Sequence, residues 1–403
     1  MSSLENLVRR ASAGAWIVAL LALTMVPSPG LGPYDRLVLC VLCGSEGSAD
    51  AILNVVLFVP LGLLVAGTKR APWRAAALGL LISLAVESTQ LFVPGRQPAL
   101  GDLIWNTLGA ALGVLLHGAV VGRLRRTSGS AVPALGASLV TGVSVIAAGW
   151  LLGARPSTEL YWSLWTPRLG GMPQYGGALA NAMLDGNPLP PGAFPSDRNP
   201  VRAWLGDWTF EATLQKGAPP PRLAPVISLI DTDRDETAFL GLVGEDLVWR
   251  ERLRAGTFSF HQPAFRVPGA LSAVQVGDTT RVQIRRVGVD RCITVDGHTS
   301  CRRGFTPGRT WSLLIGAGTT NDLKRRGLDL IWLLALGVPT GFLSIGWSAA
   351  RHGLLLTALV AASARITHLG TWHLVSESLA VMAGVGLGAC AVLLIQRVHG
   401  VPH

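Results

Sequence analysis

Apolar residues along this chain come in long blocks, lying roughly at 13–29, 51–67, 75–93, 101–121, 131–153, 328–347, 353–370 and 375–395. Most are close to the roughly 20 residues that a helix needs to cross a bilayer core. They predict a membrane α-helical bundle of about eight transmembrane helices. Between the fifth and sixth blocks the pattern changes to short alternating or β-rich runs, WTFEATL, PVISLI, AFLGLV, DLVWRERL, TRVQIRRV, CITVDG and TWSLLIG, separated by Gly, Pro and Asp. This spacing predicts an all-β sandwich, preceded at 172–200 by a loop-rich stretch of Pro, Gly and Asn. The chain thus divides into residues 1–153 with helices one to five, 155–323 as the sandwich, and 328–403 with helices six to eight.

Polar residues inside the apolar blocks fall at helical spacing. Asp50 and Asn54 sit four apart; Ser83, Glu87 and Gln90 fall at i, i+4 and i+7; Asp102, Asn106, Gly109 and Gly113 fall at i, i+4, i+7 and i+11. Each helix gains one wet stripe, and three stripes imply one shared site. A carboxylate facing lipid costs a few kcal/mol on insertion scales, so these groups are expected to face the bundle interior. Glu87 is the candidate general base, with Arg96 in the adjoining loop its natural partner. A packing account competes: Asp50 and Asp102 as helix starts, Gly109 and Gly113 as a small-residue face, Asn106 as an interhelical hydrogen bond.

The two ends of the chain share offsets. Asp50 is followed by Pro60 and Gly62 as Asp329 is by Pro339 and Gly341, and Asp102 by Gly109 and Gly113 as Glu377 is by Gly384 and Gly388. A degenerate four-helix repeat would explain this, with chance similarity among apolar helices as the alternative. The second copy has Leu333 and Val381 in the places of Asn54 and Asn106. Arg365 lies near the place of Glu87, where Glu377 or Asp329 would be its partner.

Only 14% of the residues are charged and the formal net charge is +10. Residues 155–323 hold 18 basic and 16 acidic side chains, which leaves about +8 at the ends of the apolar blocks. Basic residues gather at one set of ends, including Arg9, Arg10, Lys69, Arg70, Arg123, Arg125, Arg126 and Arg397. The positive-inside rule then places both termini in the cytoplasm and the sandwich outside, in a multi-pass plasma (inner) membrane protein. A charge so distributed suits lipid headgroups rather than a nucleic acid. The first block is read as a retained helix, since no small-residue cleavage box follows it.

Cys40 and Cys43 form C-x-x-C in the first loop, open to a structural role, a disulfide or half a metal site. Cys292 and Cys301 flank ITVDGHTS, whose Asp296 and Gly297 suit a tight hairpin turn, and a disulfide is expected there. Asp231, Asp233 and Asp235 lack the Gly and distal Glu of a calcium loop and read as a charged turn. Trp204, Trp208 and Trp249 suit a sugar-stacking platform or, more often, core. His117 stands alone, and His368 and His373 read as interfacial. No nucleophilic triad, zinc motif or P-loop is present, and neither metal nor cofactor is expected.

The run Asp50, Asn54, Phe58, Pro60, Gly62, Glu87, Gln90, Arg96, Asp102, Asn106, Gly109 and Gly113 resembles the VanZ-like family of bacterial membrane proteins, named for a glycopeptide (teicoplanin) resistance determinant. The β region resembles concanavalin A-like and laminin G-like jelly rolls, which implies two packed antiparallel sheets and glycan binding. It lacks the Glu-x-Asp-x-x-Glu of related glucanases. Together these resemblances imply a cell-envelope protein that binds a glycan through the sandwich, and a lipid-linked or amphiphilic ligand at the outer leaflet through Asp50, Asn54, Glu87, Gln90, Arg96, Asp102 and Asn106. The alternatives are an intramembrane enzyme modifying a lipid-linked envelope precursor, and a membrane scaffold or adhesion protein. Expected partners are membrane lipids and an envelope glycan or lipid-linked precursor.

Overall fold

A computed structural model describes residues 3–26, 38–66, 72–94, 98–124, 132–155, 160–194, 206–316, 322–344 and 348–398. Its long helices are α1 (Ser3–Thr24), α2 (Gly47–Ala66), α3 (Pro72–Gln90), α4 (Leu100–Leu124), α5 (Val132–Leu151), α7 (Asp322–Leu343), α8 (Ser348–Ile366) and α9 (Leu374–Val398), with a single turn, α6 (Arg254–Thr257), inside the β region. By length and composition five of the described helices can cross a membrane: α2, α4, α5, α7 and α9. The other three fall short of the expectation from the sequence. The apolar stretches of α1 and α3 shorten to Ala11–Ala22 and Ala76–Gln90, and α8 carries Arg351, His352 and Arg365.

The shared offsets have a geometric counterpart. Helix α2 packs on α4 and α7 on α9, and the two pairs cross at corresponding atoms. A Cβ on Gly62 would strike the Ala110 carbonyl and one on Gly341 the Val385 carbonyl. Gly109 faces the Val55 carbonyl as Gly384 faces that of Leu334, and Gly113 faces the Val59 carbonyl as Gly388 faces that of Val338. Each residue keeps its distance from Asp50, Asp102, Asp329 or Glu377. Small residues let the backbones approach this closely where packing, not hydrophobic exclusion, holds helices together. Helix α3 meets α4 through Gly79 and Ala110, and α8 meets α9 through Gly353 and Val385, which sets Ala361 in the place of Glu87.

The β region holds two antiparallel six-stranded sheets. Its strands are β1 (Leu160–Trp165), β2 (Ala178–Leu184), β3 (Asn187–Pro188), β4 (Gly192–Ala193), β5 (Trp208–Gln215), β6 (Ala224–Asp231), β7 (Glu236–Val243), β8 (Asp246–Glu251), β9 (Phe265–Val267), β10 (Thr279–Val287), β11 (Asp290–Val295) and β12 (His298–Ser300). One sheet runs β4-β1-β6-β7-β8-β9 and the other β12-β11-β10-β5-β2-β3. Strand β5 alternates buried and half-buried positions along its length, and Phe210, Leu214, Leu240, Trp249 and Ile293 from the two sheets share one apolar core. That core takes in Leu152, Ala364 and Leu369 from the ends of α5 and α8. The β region therefore grows out of the helix ends.

Two stretches differ from the pattern reading. Residues 172–200 contain β2, which pairs with β5 from Ala178 opposite Gln215 to Leu184 opposite Phe210, so a partner strand overrides a loop-like composition. The run TWSLLIG begins inside a 3-10 helix at Pro307–Leu313. There the Thr310 hydroxyl donates to the Pro307 carbonyl and the Ser312 hydroxyl to that of Arg309, local bonds that compete with a strand ladder.

Candidate functional site

Helices α2, α3 and α4 place their polar stripes together at the end that faces the β region. Asn54 on α2 donates its amide to Asp102 Oδ1 on α4 at 2.5 Å. Asn106, one turn deeper, donates to Ser83 Oγ on α3 at 2.9 Å, and the Ser83 hydroxyl approaches the Asp102 carbonyl at 3.5 Å. Glu87 is buried and accepts the backbone N–H of Ala99 through Oε2 at 3.0 Å. Its carboxyl lies within Coulombic reach of Asp102, and Asp102 within reach of Asp50. Five side chains from three helices thus form one network, and Asn106 keeps a buried Oδ1 with no hydrogen-bond partner.

The remaining candidates lie elsewhere. Gln90 is buried but turns to α1, donating to the Thr24 carbonyl at 3.0 Å. Asp50 sits exposed in the first turn of α2. Arg96, the expected partner of Glu87, lies outside the described residues, as does Trp204.

A loop that the sequence left open covers this network. Cys40 and Cys43 form a disulfide with Cα atoms 5.6 Å apart, closing a tight turn whose carbonyls face the start of α4. The Val38 carbonyl accepts from Leu100 N, the Cys40 carbonyl from Gly101 N at 2.9 Å, and the Val41 carbonyl from the Trp105 indole. The first two satisfy N–H groups that the first turn of a helix leaves unpaired. The start of α2 is capped from the β region, where the Ser259 carbonyl accepts from Ser48 N and Ala49 N. His261 beside it lies 3.5 Å from the Glu46 carboxylate.

The corresponding place in the second copy is filled by protein. Asp329 receives both arms of the Arg309 guanidinium, at 2.9 and 3.1 Å, and the Trp311 indole at 2.7 Å. Glu377 accepts Gly308 N at 3.1 Å, and the Trp332 indole donates to Thr310 Oγ1. The 3-10 helix is therefore seated between α7 and α9 by the two conserved-offset carboxylates. Arg309 supplies the cation that the sequence assigned to Arg365, which is exposed. Arg309 is 20 residues from Asp329 in the chain, and no periodicity marks it.

Within the β region, Cys292 and Cys301 are bonded across the β11–β12 hairpin, Cα to Cα 4.0 Å, with Asp296 and Gly297 at positive φ in its turn. Asp231 Oδ1 accepts Asp233 N and Asp235 N while Arg252 binds the Asp231 and Asp235 carboxylates, a closed charged turn. No group of His, Cys, Asp and Glu among the described residues suits a metal ion. Trp208 and Trp249 pack together in the core, ring centres 5.8 Å apart, and present no face to a sugar.

Residues 12–121 match the VanZ/LLP1 family model, the stretch that builds the polar network. No curated protein and no solved structure matches the chain.

Proposed function

We propose that this chain is a VanZ-like protein of the plasma membrane that binds a lipid-linked or amphiphilic envelope ligand at the outer leaflet through Asn54, Ser83, Glu87, Asp102 and Asn106. The observation that carries this reading is internal to the molecule. Helices α7 and α9 make the same crossing as α2 and α4 with Leu333 and Val381 fully buried where the first copy has Asn54 and Asn106. Packing of the pair needs the glycines and not the asparagines. Buried amides are costly in a membrane, and two asparagines present in one copy and replaced by Leu333 and Val381 in the other are explained by a ligand.

Acidic and amide groups suit hydroxyl or amine donors, the chemistry of a sugar or an aminated glycopeptide, and the family's namesake connects such a ligand to teicoplanin-type resistance. In this reading the β region is a lectin-like jelly roll that engages the glycan part of the ligand. All eight long helices cross the membrane, both termini are cytoplasmic, and the β region lies outside.

The test replaces Asn106 by the residue of the second copy. Asn106→Val leaves Ser83 Oγ able to donate to the Asp102 carbonyl, so the protein should insert and melt in detergent at or above the wild-type temperature. Teicoplanin tolerance of cells expressing it, and the envelope lipid that copurifies with it, should both be lost. Glu87→Gln, which retains an acceptor for Ala99 N, should do the same. Wild-type tolerance and wild-type copurifying lipid in both variants, at equal membrane abundance, would leave the network as packing.

A further inference from the structure

A cavity of about 220 Å³ lies where the β region meets the starts of α7 and α9. Its walls carry Arg302, Arg303, Arg309, Arg325 and Arg326 against one carboxylate, Asp329. Asp329 is already engaged by Arg309 and Trp311. Arg325 is buried and lies within Coulombic reach of Arg303, Arg309 and Arg266. Guanidinium groups gathered this closely in a partly water-excluded space favour an added anion. Their planar forks match the oxygens of a phosphate.

The cavity opens onto a groove of different character. Arg326, Asp329 and His373 line both it and a second cavity of about 300 Å³ whose remaining walls include Leu323 and Leu330 on α7. Leu323 is 80% exposed and Leu330 faces the same way. Arg326 Nη2 and His373 Nδ1 stand 3.1 Å apart at the junction. Burial, and then the charge of Arg326, hold the His373 imidazole below its ordinary range. Trp372 closes the polar side, its ring pressed against Gly304 and Gly370, in the boundary position that tryptophan favours.

From this geometry we infer a second binding site, for the phosphate-bearing headgroup of an anionic membrane amphiphile, with its hydrocarbon chain lying in the groove beside Leu323 and Leu330. This inference goes beyond the polar network of the first copy and does not rest on it. The two sites have opposite charge, so they select different ligand groups.

Native mass spectrometry of the full chain, delipidated in detergent, tests this with dioleoyl phosphatidic acid, dioleoyl phosphatidylcholine and inorganic phosphate as probes. Phosphatidic acid should bind saturably at one site, and Arg302→Gln with Arg326→Gln should weaken it by about tenfold or more, the effect of losing charge-assisted hydrogen bonds. The exposed Arg285→Gln, elsewhere on the β region, should leave binding unchanged. Circular dichroism melting of the double variant guards against misfolding. Equal binding by the double variant, or equal affinity for phosphatidylcholine, overturns the site. Displacement of the lipid by inorganic phosphate at comparable concentration assigns the cavity to free phosphate and overturns the membrane source.

Discussion

At the scale of single residues the β region contains a buried ion pair whose geometry yields a pH dependence. Glu251 on β8 accepts Arg291 Nε at 3.0 Å, Arg291 Nη2 at 2.7 Å and the Trp249 indole at 2.9 Å. Burial alone would raise the Glu251 carboxyl, but Arg291 and the indole outweigh it and hold the group below the usual carboxylate range. A depressed carboxylate contributes stability that is fully present above its unfolded value of about 4.3 and is lost as pH falls through the folded value. The β region should therefore hold its near-ultraviolet circular dichroism down to pH about 5 and lose it cooperatively below. Glu251→Gln removes the charge and leaves Arg291 buried without its counterion, so it should cost about 3–5 kcal/mol and abolish that acid transition. Equal melting temperatures for wild type and variant at pH 7 would refute this account.

At the scale of elements, the glycine offsets read from the sequence coincide with the two close helix crossings, α2 on α4 and α7 on α9, where almost no other residue fits. The same spacing marked Asp50, Asn54, Ser83, Glu87, Gln90, Asp102 and Asn106 as one site, of which Asn54, Ser83, Glu87, Asp102 and Asn106 lie together. Gln90 shared the spacing, yet its side chain turns to α1, since a helical stripe fixes a face but not the neighbour that meets it. Arg309 and the 3-10 helix were invisible for a different reason: their role depends on a long-range seat between α7 and α9, and the local pattern of TWSLLIG favours a strand. If the two crossings are one design, they should fail alike. Gly113→Ala and Gly388→Ala each drive a Cβ into the opposing carbonyl, of Val59 and Val338, and each should destabilise the protein by about 1–3 kcal/mol. Gly386→Ala, with open space around it on α9, should be neutral or stabilising by up to about 1 kcal/mol. Detergent melting of the three variants checks this, and a stable Gly388→Ala would remove the equivalence.

At the scale of the whole molecule, the helix ends sort into two sets. The starts of α4 and α9 meet the disulfide loop and the 3-10 helix respectively, and the start of α2 meets Ser259. The ends of α1 and α3 share that side through Gln90 and Thr24. On the opposite side Gln396 near the end of α9 reaches the Leu124 carbonyl at the end of α4 at 3.3 Å. Both disulfides therefore lie on the β-region side, whereas the free Cys390 lies well along α9 from it. Disulfides persist in oxidising compartments and are rare in the cytosol, and Arg123 and Arg397, at the ends of α4 and α9, belong to the other side. Redox and charge both support the orientation proposed above. A phosphatase reporter inserted at an exposed turn such as Gly244 should be active outside the cytoplasm, and a fluorescent reporter fused after Arg126 should light up inside. A phosphatase-inactive insertion at Gly244, in a protein that still accumulates in the membrane, would place the β region in the cytoplasm and remove the outer-leaflet reading of both sites.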